Sequence, residues 1–326
     1  MRVGIIGCGL IGEKRAASLL ANGDVVAAAF DVVSERSSAL ARKYGAEACA
    51  SVGSLLGKVD ACVVATTHDH LVPTATEVVR AGKHLLLEKP AARSGSELAP
   101  LVILARERRV VVKVGYNHRF HPAAQKARAI LDAGGCGDVL FVRGRYGHGG
   151  RIGYDKEWRA DRAKSGGGEL LDQGVHLVDL ARWFIGADFT EVSGRVETYF
   201  WDMPVEDNAF LTLGTSARQV AHLQASWTEW KNMFSLEIYA RHTKLQMEGL
   251  GGSYGVERLY HYQMHPKMGP PETVVYEYPG ADGSWSLEWA DFKRAVADGT
   301  AVCGGLEDAL AVLRVVDRVY ALNQRS

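Results

Sequence analysis

Three groups of residues carry chemistry at informative spacings, and the first is Gly7-Cys8-Gly9-Leu10-Ile11-Gly12. It follows the apolar run Val3 to Ile6 and opens a helix-like stretch. In that context the first glycine permits a tight turn, the second lets the backbone approach a pyrophosphate, and the third lets the helix lie close to the strand. Free N–H groups at the helix N-terminus then face the anion. Asp31 ends the next strand, 19 residues past Gly12. A carboxylate there accepts hydrogen bonds from an adenosine ribose and repels a 2′-phosphate, which favours NAD over NADP. Arg36 keeps NADP as the alternative, because a nearby cation can neutralise that phosphate. Taken alone, the glycines are a tight turn and Asp31 a turn cap; together they describe a dinucleotide site.

Glu88-Lys89-Pro90 closes the run His84 to Leu87, at the end of a strand where an open parallel sheet presents ligand-binding residues. The proline biases Lys89 toward an extended backbone and permits a cis bond, so the ammonium is held in a fixed place. There it can hydrogen-bond a substrate hydroxyl and stabilise developing alkoxide charge; the bland alternative is an exposed lysine on a turn. The third group is the loop Ser165-Gly166-Gly167-Gly168, leading into a helix that is predicted to end near Gly186. Asp172 and His176 are four apart on that helix and share one face, beside an apolar stripe of Leu171, Val175 and Val178. Oxidising a secondary alcohol requires a base for the O–H proton while the C–H hydride leaves, and histidine titrates in the right range. Asp172 would set the imidazole tautomer and stabilise its charged form. An ordinary helical ion pair competes with this explanation. Gly174 counts against it, because glycine weakens a helix unless a close approach requires it.

These groups need a scaffold, and the chain supplies two kinds. From Arg2 to Tyr116, short apolar runs (Val3 to Ile6, Val25 to Phe30, Ala61 to Ala65, His84 to Leu87 and Val110 to Tyr116) alternate with helix-like stretches. The helices stop at Gly23, Gly45 and Gly82, and one starts near Ser34. Strands apolar at successive positions are covered on both faces, so the pattern predicts a doubly wound parallel sheet. After His121 the grammar changes. Pro122 opens a helix ending near Gly134, and then Phe234, Leu236 and Ile238 alternate with Ser235, Glu237 and Tyr239, while Leu245 and Met247 flank Gln246. That alternation predicts an antiparallel sheet with helices on one side. Two helices close the chain, Ser284 to Asp298 and Leu306 to Asn323, the second with a stripe of Leu306, Leu310, Leu313 and Tyr320. The expected division is a nucleotide-binding domain over 1–121 and an α+β substrate and oligomerisation domain over 122–326, with the helix 306–323 a candidate to pack on the first.

Composition narrows the function. With 38 basic and 38 acidic side chains, the chain offers no broad positive field for nucleic acid or anionic lipid. Cys8, Cys49, Cys62, Cys136 and Cys303 are scattered and never form C-x-x-C, which suits a reducing cytoplasm. The apolar stretch Val3 to Gly12 is followed by Glu13, Lys14 and Arg15 where a signal peptide needs a small, neutral cleavage region, and no apolar run is long enough to span a bilayer. A cytoplasmic location without nucleic-acid or membrane partners is expected. His68-x-His70, His118-x-x-His121 and Asp172-x-x-x-His176 each lack a third ligand at one place, so no metal is assigned.

Together these segments resemble the Gfo/Idh/MocA oxidoreductases, the group that includes inositol dehydrogenases and glucose–fructose oxidoreductase. The resemblance runs nearly the whole chain: the early glycine motif, Glu88-Lys89-Pro90, Gly115-Tyr116-Asn117-His118-Arg119-Phe120, and the glycine loop leading to Asp172 and His176. It implies a Rossmann domain followed by a C-terminal α+β domain with a large, mainly antiparallel open sheet. Lys89, Asp172 and His176 match the catalytic positions of the inositol dehydrogenase branch. The residues assigned to NAD are Gly7, Gly9, Leu10, Ile11, Gly12, Asp31, Arg36, Thr66, His70, Glu88, Lys89 and Asn117. Association through the open face of the C-terminal sheet, giving a homodimer or homotetramer, is also implied.

For the substrate, the segment Tyr146 to Lys164 offers His148, Arg151, Tyr154, Trp158, Arg159 and Arg162 just before the catalytic helix. Trp158-Arg159 recurs in family members with different substrates and is read as holding the loop. Arg151 and Tyr154 join Lys89, Asp172 and His176 as the substrate contacts. The tryptophans of Ser226-Trp227-Thr228-Glu229-Trp230 suit a sugar ring, but in an alternating strand they are more often core or subunit interface. The expected activity is hydride transfer between NAD and a secondary carbinol of a sugar, sugar nucleotide or cyclitol. Two other enzyme classes compete: one that keeps NAD bound and breaks a glycosidic bond by transient oxidation, and one that depends on a metal. A non-catalytic NAD sensor would leave Lys89, Asp172 and His176 without a shared purpose.

Overall fold

The computed structural model describes residues 1–265, 267 and 269–323, and the chain forms two compact units. The first comprises Met1–Tyr116, Ala163–Gly166 and Trp285–Leu313; the second comprises Asn117–Arg162, Gly167–Ser284 and the chain from Arg314 on. Where the sequence suggests one boundary after residue 121, the contacts place it after Tyr116 and return Trp285–Leu313 to the first unit. The returning segment contributes Trp289 and Phe292 to a core with Val3, Ile5, Leu19, Val26 and Leu86.

In the first unit β1 (Arg2–Ile6), α1 (Leu10–Ala21), β2 (Val25–Phe30), α2 (Ser34–Tyr44), β3 (Glu47–Ala48), α3 (Val52–Leu56), β4 (Ala61–Val64), α4 (His68–Arg80), β5 (His84–Leu87), α5 (Gly95–Arg108) and β6 (Val112–Val114) follow in order. The strands form a parallel sheet ordered β3-β2-β1-β4-β5-β6, the order of a doubly wound dinucleotide fold. β4 is buried at every position and β5 at all but its first, which accounts for their uninterrupted apolar runs. β6 is shorter than the predicted Val110 to Tyr116. The Val110 amide instead closes the end of α5 on the Ala105 carbonyl, and the Tyr116 amide folds back on Val114.

The second unit contains α6 (Pro122–Asp132), β7 (Val139–Gly147), the start of a short α7 (Arg162–Ser165), a π-helical turn (Leu170–Gly174) and α8 (Val175–Ile185). Then come β8 (Glu191–Glu197), β9 (Asn208–Gly214), β10 (Val220–Ser226), β11 (Met233–Ala240), β12 (Thr243–Glu248), β13 (Glu257–Gln263) and β14 (Glu272–Tyr278). The eight strands are ordered β14-β13-β12-β11-β7-β10-β9-β8. All pairs are antiparallel except β10 with β7. Phe234, Leu236, Ile238, Leu245 and Met247 point to the buried face, as their alternation requires. Two further helices, α9 (Ser284–Asp298) and α10 (Leu306–Leu322), end the described chain. The stripe predicted for α10 is corrected: Leu306 and Leu313 are buried, but the face continues through Ala309, Val312, Val316 and Val319, while Leu310 and Tyr320 are only half-buried. Small β-branched and alanine side chains carry that face, so a search for large apolar residues misplaces it.

Candidate active site

The first unit builds a site around the end of β1. Gly7 has φ +92°, and a Cβ there would lie 2.5 Å from the Ala65 carbonyl oxygen; only glycine makes this turn. A Cβ on Gly12 would lie 2.0 Å from the Gly7 oxygen, whereas one on Gly9 would meet nothing within 4 Å. Gly9 thus presents open backbone, and as N-cap of α1 it has no side-chain cap, so the first amides of the helix are available to a pyrophosphate. Leu10 is exposed and Ile11 half-buried at that end. Asp31 accepts from the Cys8 amide at 2.7 Å through Oδ2 and from the Val33 amide at 2.9 Å through Oδ1. Each oxygen keeps a second lone pair, enough for a ribose diol. Arg36 is exposed in α2, Thr66 is half-buried after β4 and donates to the Thr67 carbonyl, and His70 is exposed in the first turn of α4 beside Asp69.

Glu88 has a different surrounding from the one its assignment to the cofactor suggests. It is buried, and Arg15 of α1 donates to it from Nε at 2.6 Å. The same guanidinium pairs with Glu288 of α9 and lies under the Trp285 ring, 4.4 Å from its centroid. Arg15 is fully buried; burial opposes its charge, but Glu288 and Glu88 outweigh it and hold its pKa above the ordinary value. Gly115 packs against this cluster, since a Cβ there would come within 2.8 Å of Arg15 Nη2 and 2.9 Å of Glu88 Oε2. The clamp fixes the residue immediately before Lys89, which is half-buried and joined to Pro90 by a cis peptide bond.

In the second unit, Asp172 lies in the π turn and His176 in the first turn of α8, both buried. Glycines place this turn. A Cβ on Gly168 would sit 1.9 Å from the Glu206 carbonyl oxygen, and one on Gly167 would sit 2.0 Å from Tyr320 Oη. A Cβ on Gly174 would lie 3.0 Å from Leu170 Cδ1 and 3.5 Å from Ala225 of β10, the close approach that a mid-helix glycine implied. Glu206 fastens the turn from below, accepting from Tyr320 Oη at 2.7 Å and from the Leu170 amide at 3.2 Å. Burial raises the Glu206 pKa, opposed by the bond from Tyr320.

Two partners of this site escaped the sequence analysis. Arg159 Nε donates to Asp172 Oδ2 at 3.2 Å. Its pKa is held up by Asp172, Tyr154 and Glu157 against burial, so the residue read as a loop support touches the proposed catalytic carboxylate. The ring of His118 stacks on that of His176, with centroids 3.8 Å apart and planes 18° from parallel. Tyr146 of β7 meets the stack edge-on, and burial raises its phenol pKa far above the ordinary value, with Tyr254 adding to the effect. Asn117 is buried beside His118, its Oδ1 3.2 Å from His118 Nδ1 and its Nδ2 donating to Ser284 Oγ at 2.9 Å.

Of the two predicted loop contacts, Arg151 is exposed and pairs with Glu157 at 2.6 Å. Tyr154 is buried in a cluster with Val205 and Trp227, and Trp201 and Met203 pack against it. Trp227 is core, as expected, whereas Trp230 is fully exposed. Among the described residues no group of three or more His, Cys, Asp or Glu side chains has metal-holding geometry, and no helix is long and apolar enough to cross a membrane.

A parallel sheet in dinucleotide order, a glycine turn with open backbone and an acid closing β2 define the class of NAD-binding oxidoreductase folds. The chain belongs to the Gfo/Idh/MocA family: residues 1–116 match the oxidoreductase family's NAD-binding Rossmann fold and residues 124–246 its Gfo/Idh/MocA C-terminal domain. A UDP-N-acetylglucosamine 3-dehydrogenase of Acidithiobacillus ferrooxidans is 30% identical over 226 residues, covering 69% of this chain and 67% of that one. A levoglucosan dehydrogenase of Pseudarthrobacter phenanthrenivorans is 31% identical over 180 residues, 54% of this chain but only 46% of the relative's length. A solved levoglucosan dehydrogenase, in complex with NADH and levoglucosan, has the same fold, with a TM-score of 0.89 at 21% identity over 98% of this chain and 96% of that one. The first unit is therefore an NAD-binding Rossmann domain.

Proposed function

We propose that the protein transfers a hydride between NAD and a secondary carbinol of a sugar, sugar nucleotide or cyclitol. NAD, when bound, supplies the hydride acceptor. Gly7, Gly9, Gly12 and the opening amides of α1 hold its pyrophosphate, and Asp31 holds the adenosine ribose. His176 accepts the hydroxyl proton as the carbon loses hydrogen with its electron pair, and returns that proton in the reverse direction. Lys89 donates a hydrogen bond to the same oxygen and offsets the negative charge that builds there. Asp172 supports the imidazolium form of His176, and Arg159 orients Asp172 through its hydrogen bond. Arg151 is a substrate contact on the loop, and Tyr154 shapes that loop from within its aromatic cluster.

The observation that carries this assignment is the burial of Asp172 and His176 on consecutive turns, with Arg159 paired to the acid. Isolated charges are costly to bury, so a buried acid with a cation beside an imidazole has the character of proton-transfer machinery. The names of the relatives support a carbohydrate hydroxyl as the substrate. Self-association through the face of the second sheet opposite α8 belongs to the same proposal. Phe141 and Tyr239 stack there with centroids 4.2 Å apart, and light scattering should give a dimer or tetramer.

The test is a panel of sugars, uronic acids, cyclitols and nucleotide sugars incubated with NAD. Stoichiometric NADH from one class, undiminished after chelation, is the expected result. Glycoside cleavage without NADH release would replace the proposal with a transient-oxidation enzyme, and loss of activity on chelation would replace it with a metal enzyme.

A further inference from the structure

We propose that His118 is a positioning residue for His176: the two stacked rings form one unit that takes a single proton, and His176 is where it goes. This rests on the reading of His176 as the proton acceptor. At 3.8 Å and 18° the rings are nearly face to face, and both side chains are buried. Two imidazolium charges so placed repel strongly in a poorly solvated site, so the pair titrates as a coupled system rather than as two histidines.

The surroundings decide which ring is charged. Around His118 stand the edges of Tyr146 at 5.1 Å, His121 at 5.5 Å and Phe234 at 6.1 Å, and its Nδ1 faces the neutral amide oxygen of Asn117. His176 lies one helical turn after Asp172. Charged groups on the elements that carry the pair are themselves paired: Asp179, further along α8, with Arg119 at 2.6 Å; Asp172 with Arg159 at 3.2 Å; and His121 with Glu257 at 2.8 Å and Asp282 at 3.9 Å. Tyr254 packs against Tyr146 with ring centroids 5.2 Å apart, and Glu169 of the same segment as Asp172 acts on that phenol electrostatically. Asp172, one turn before it on the same segment, favours the cation on His176 over His118. His118 therefore supplies a flat, uncharged platform that fixes the plane of the ring it supports and stays out of the proton balance.

Two variants and one titration test this. His118→Phe keeps a flat neutral ring and His118→Ala removes it. The expected result is that kcat falls about tenfold or more in His118→Ala, with NAD affinity changed less than about twofold, and that His118→Phe recovers most of the loss. Histidine resonances followed by NMR in the full-length protein should show one member of the pair titrating between about pH 5 and 8, the one that disappears in His176→Ala. Equal kcat losses in both His118 variants, full activity in His118→Ala, or two members titrating independently in that window would overturn the proposal. If His176→Ala turned over normally, the assignment of the base would fall, while the NMR titration would still decide whether the pair shares one proton.

Discussion

Replacing Arg15 with methionine would expose what the buried charge cluster contributes. The wild-type guanidinium is fully buried between Glu88 and Glu288, with Glu288 itself fully buried. Methionine fills similar space but removes the cation that pairs with both carboxylates. Breaking a buried pair from one side costs about 3–5 kcal/mol, because the remaining charge is uncompensated. Burial already raises the Glu288 pKa, and Arg15 and Lys113 are what oppose it. Without Arg15 the carboxyl should rise further. A folded-state pKa raised above the unfolded one gives stability below the unfolded pKa that is lost as pH rises through the folded one. The deficit of Arg15→Met should therefore grow from pH 5 toward pH 8, and Arg15→Met/Glu288→Gln should regain about 1–2 kcal/mol of it by removing one stranded charge. Urea unfolding followed by tryptophan fluorescence measures both, since Trp285 lies against Arg15 and Trp289 is buried in the core of the same unit. A loss below about 1 kcal/mol that is flat with pH, and no recovery in the double variant, would show that the carboxylates are solvated and refute the reasoning.

Two further outcomes follow from the site. Asp31→Ala should weaken NAD binding about tenfold to 100-fold, the range for lost hydrogen bonds to a charged group, and should narrow the preference against NADP; calorimetric titration with both cofactors checks it. Glu206→Gln should flatten the pH dependence of stability: the wild-type carboxyl, raised by burial, contributes most at low pH and loses that contribution as pH rises through its folded pKa, so the two urea midpoints should lie closest at acid pH and diverge toward neutrality, with the Gln variant the higher, if Gln keeps the bonds from Tyr320 and Leu170.

Much of the fold was legible because burial leaves a local mark. The uninterrupted runs of β4 and β5 declared a sheet covered on both sides, and the alternation of Phe234, Leu236 and Ile238 declared one covered on a single side. The four-residue spacing of Asp172 and His176 on one helix face is local as well, and the structure buries both side chains. Contacts between distant segments leave no such mark. Arg15 reads as an ordinary helix residue until the fold brings it to Glu88, 73 residues away, and Glu288, 273 residues away. Arg159 passed for a loop support, and His118 for part of a motif, because ion pairing and ring stacking have no period in the sequence. The close approach of Gly168 to the Glu206 carbonyl, just before the π turn at Leu170–Gly174, is likewise a contact between distant segments.

The central claim is that His176 moves the substrate proton while the nucleotide is held by other residues. The most direct measurement compares wild type and His176→Ala in a single turnover with NAD and the best substrate of the panel, following reduced nicotinamide, alongside NAD binding by each. The account predicts NAD binding within about twofold of wild type and a rate of hydride transfer reduced by about 100-fold to 10,000-fold. An unimpaired single turnover in His176→Ala would contradict it.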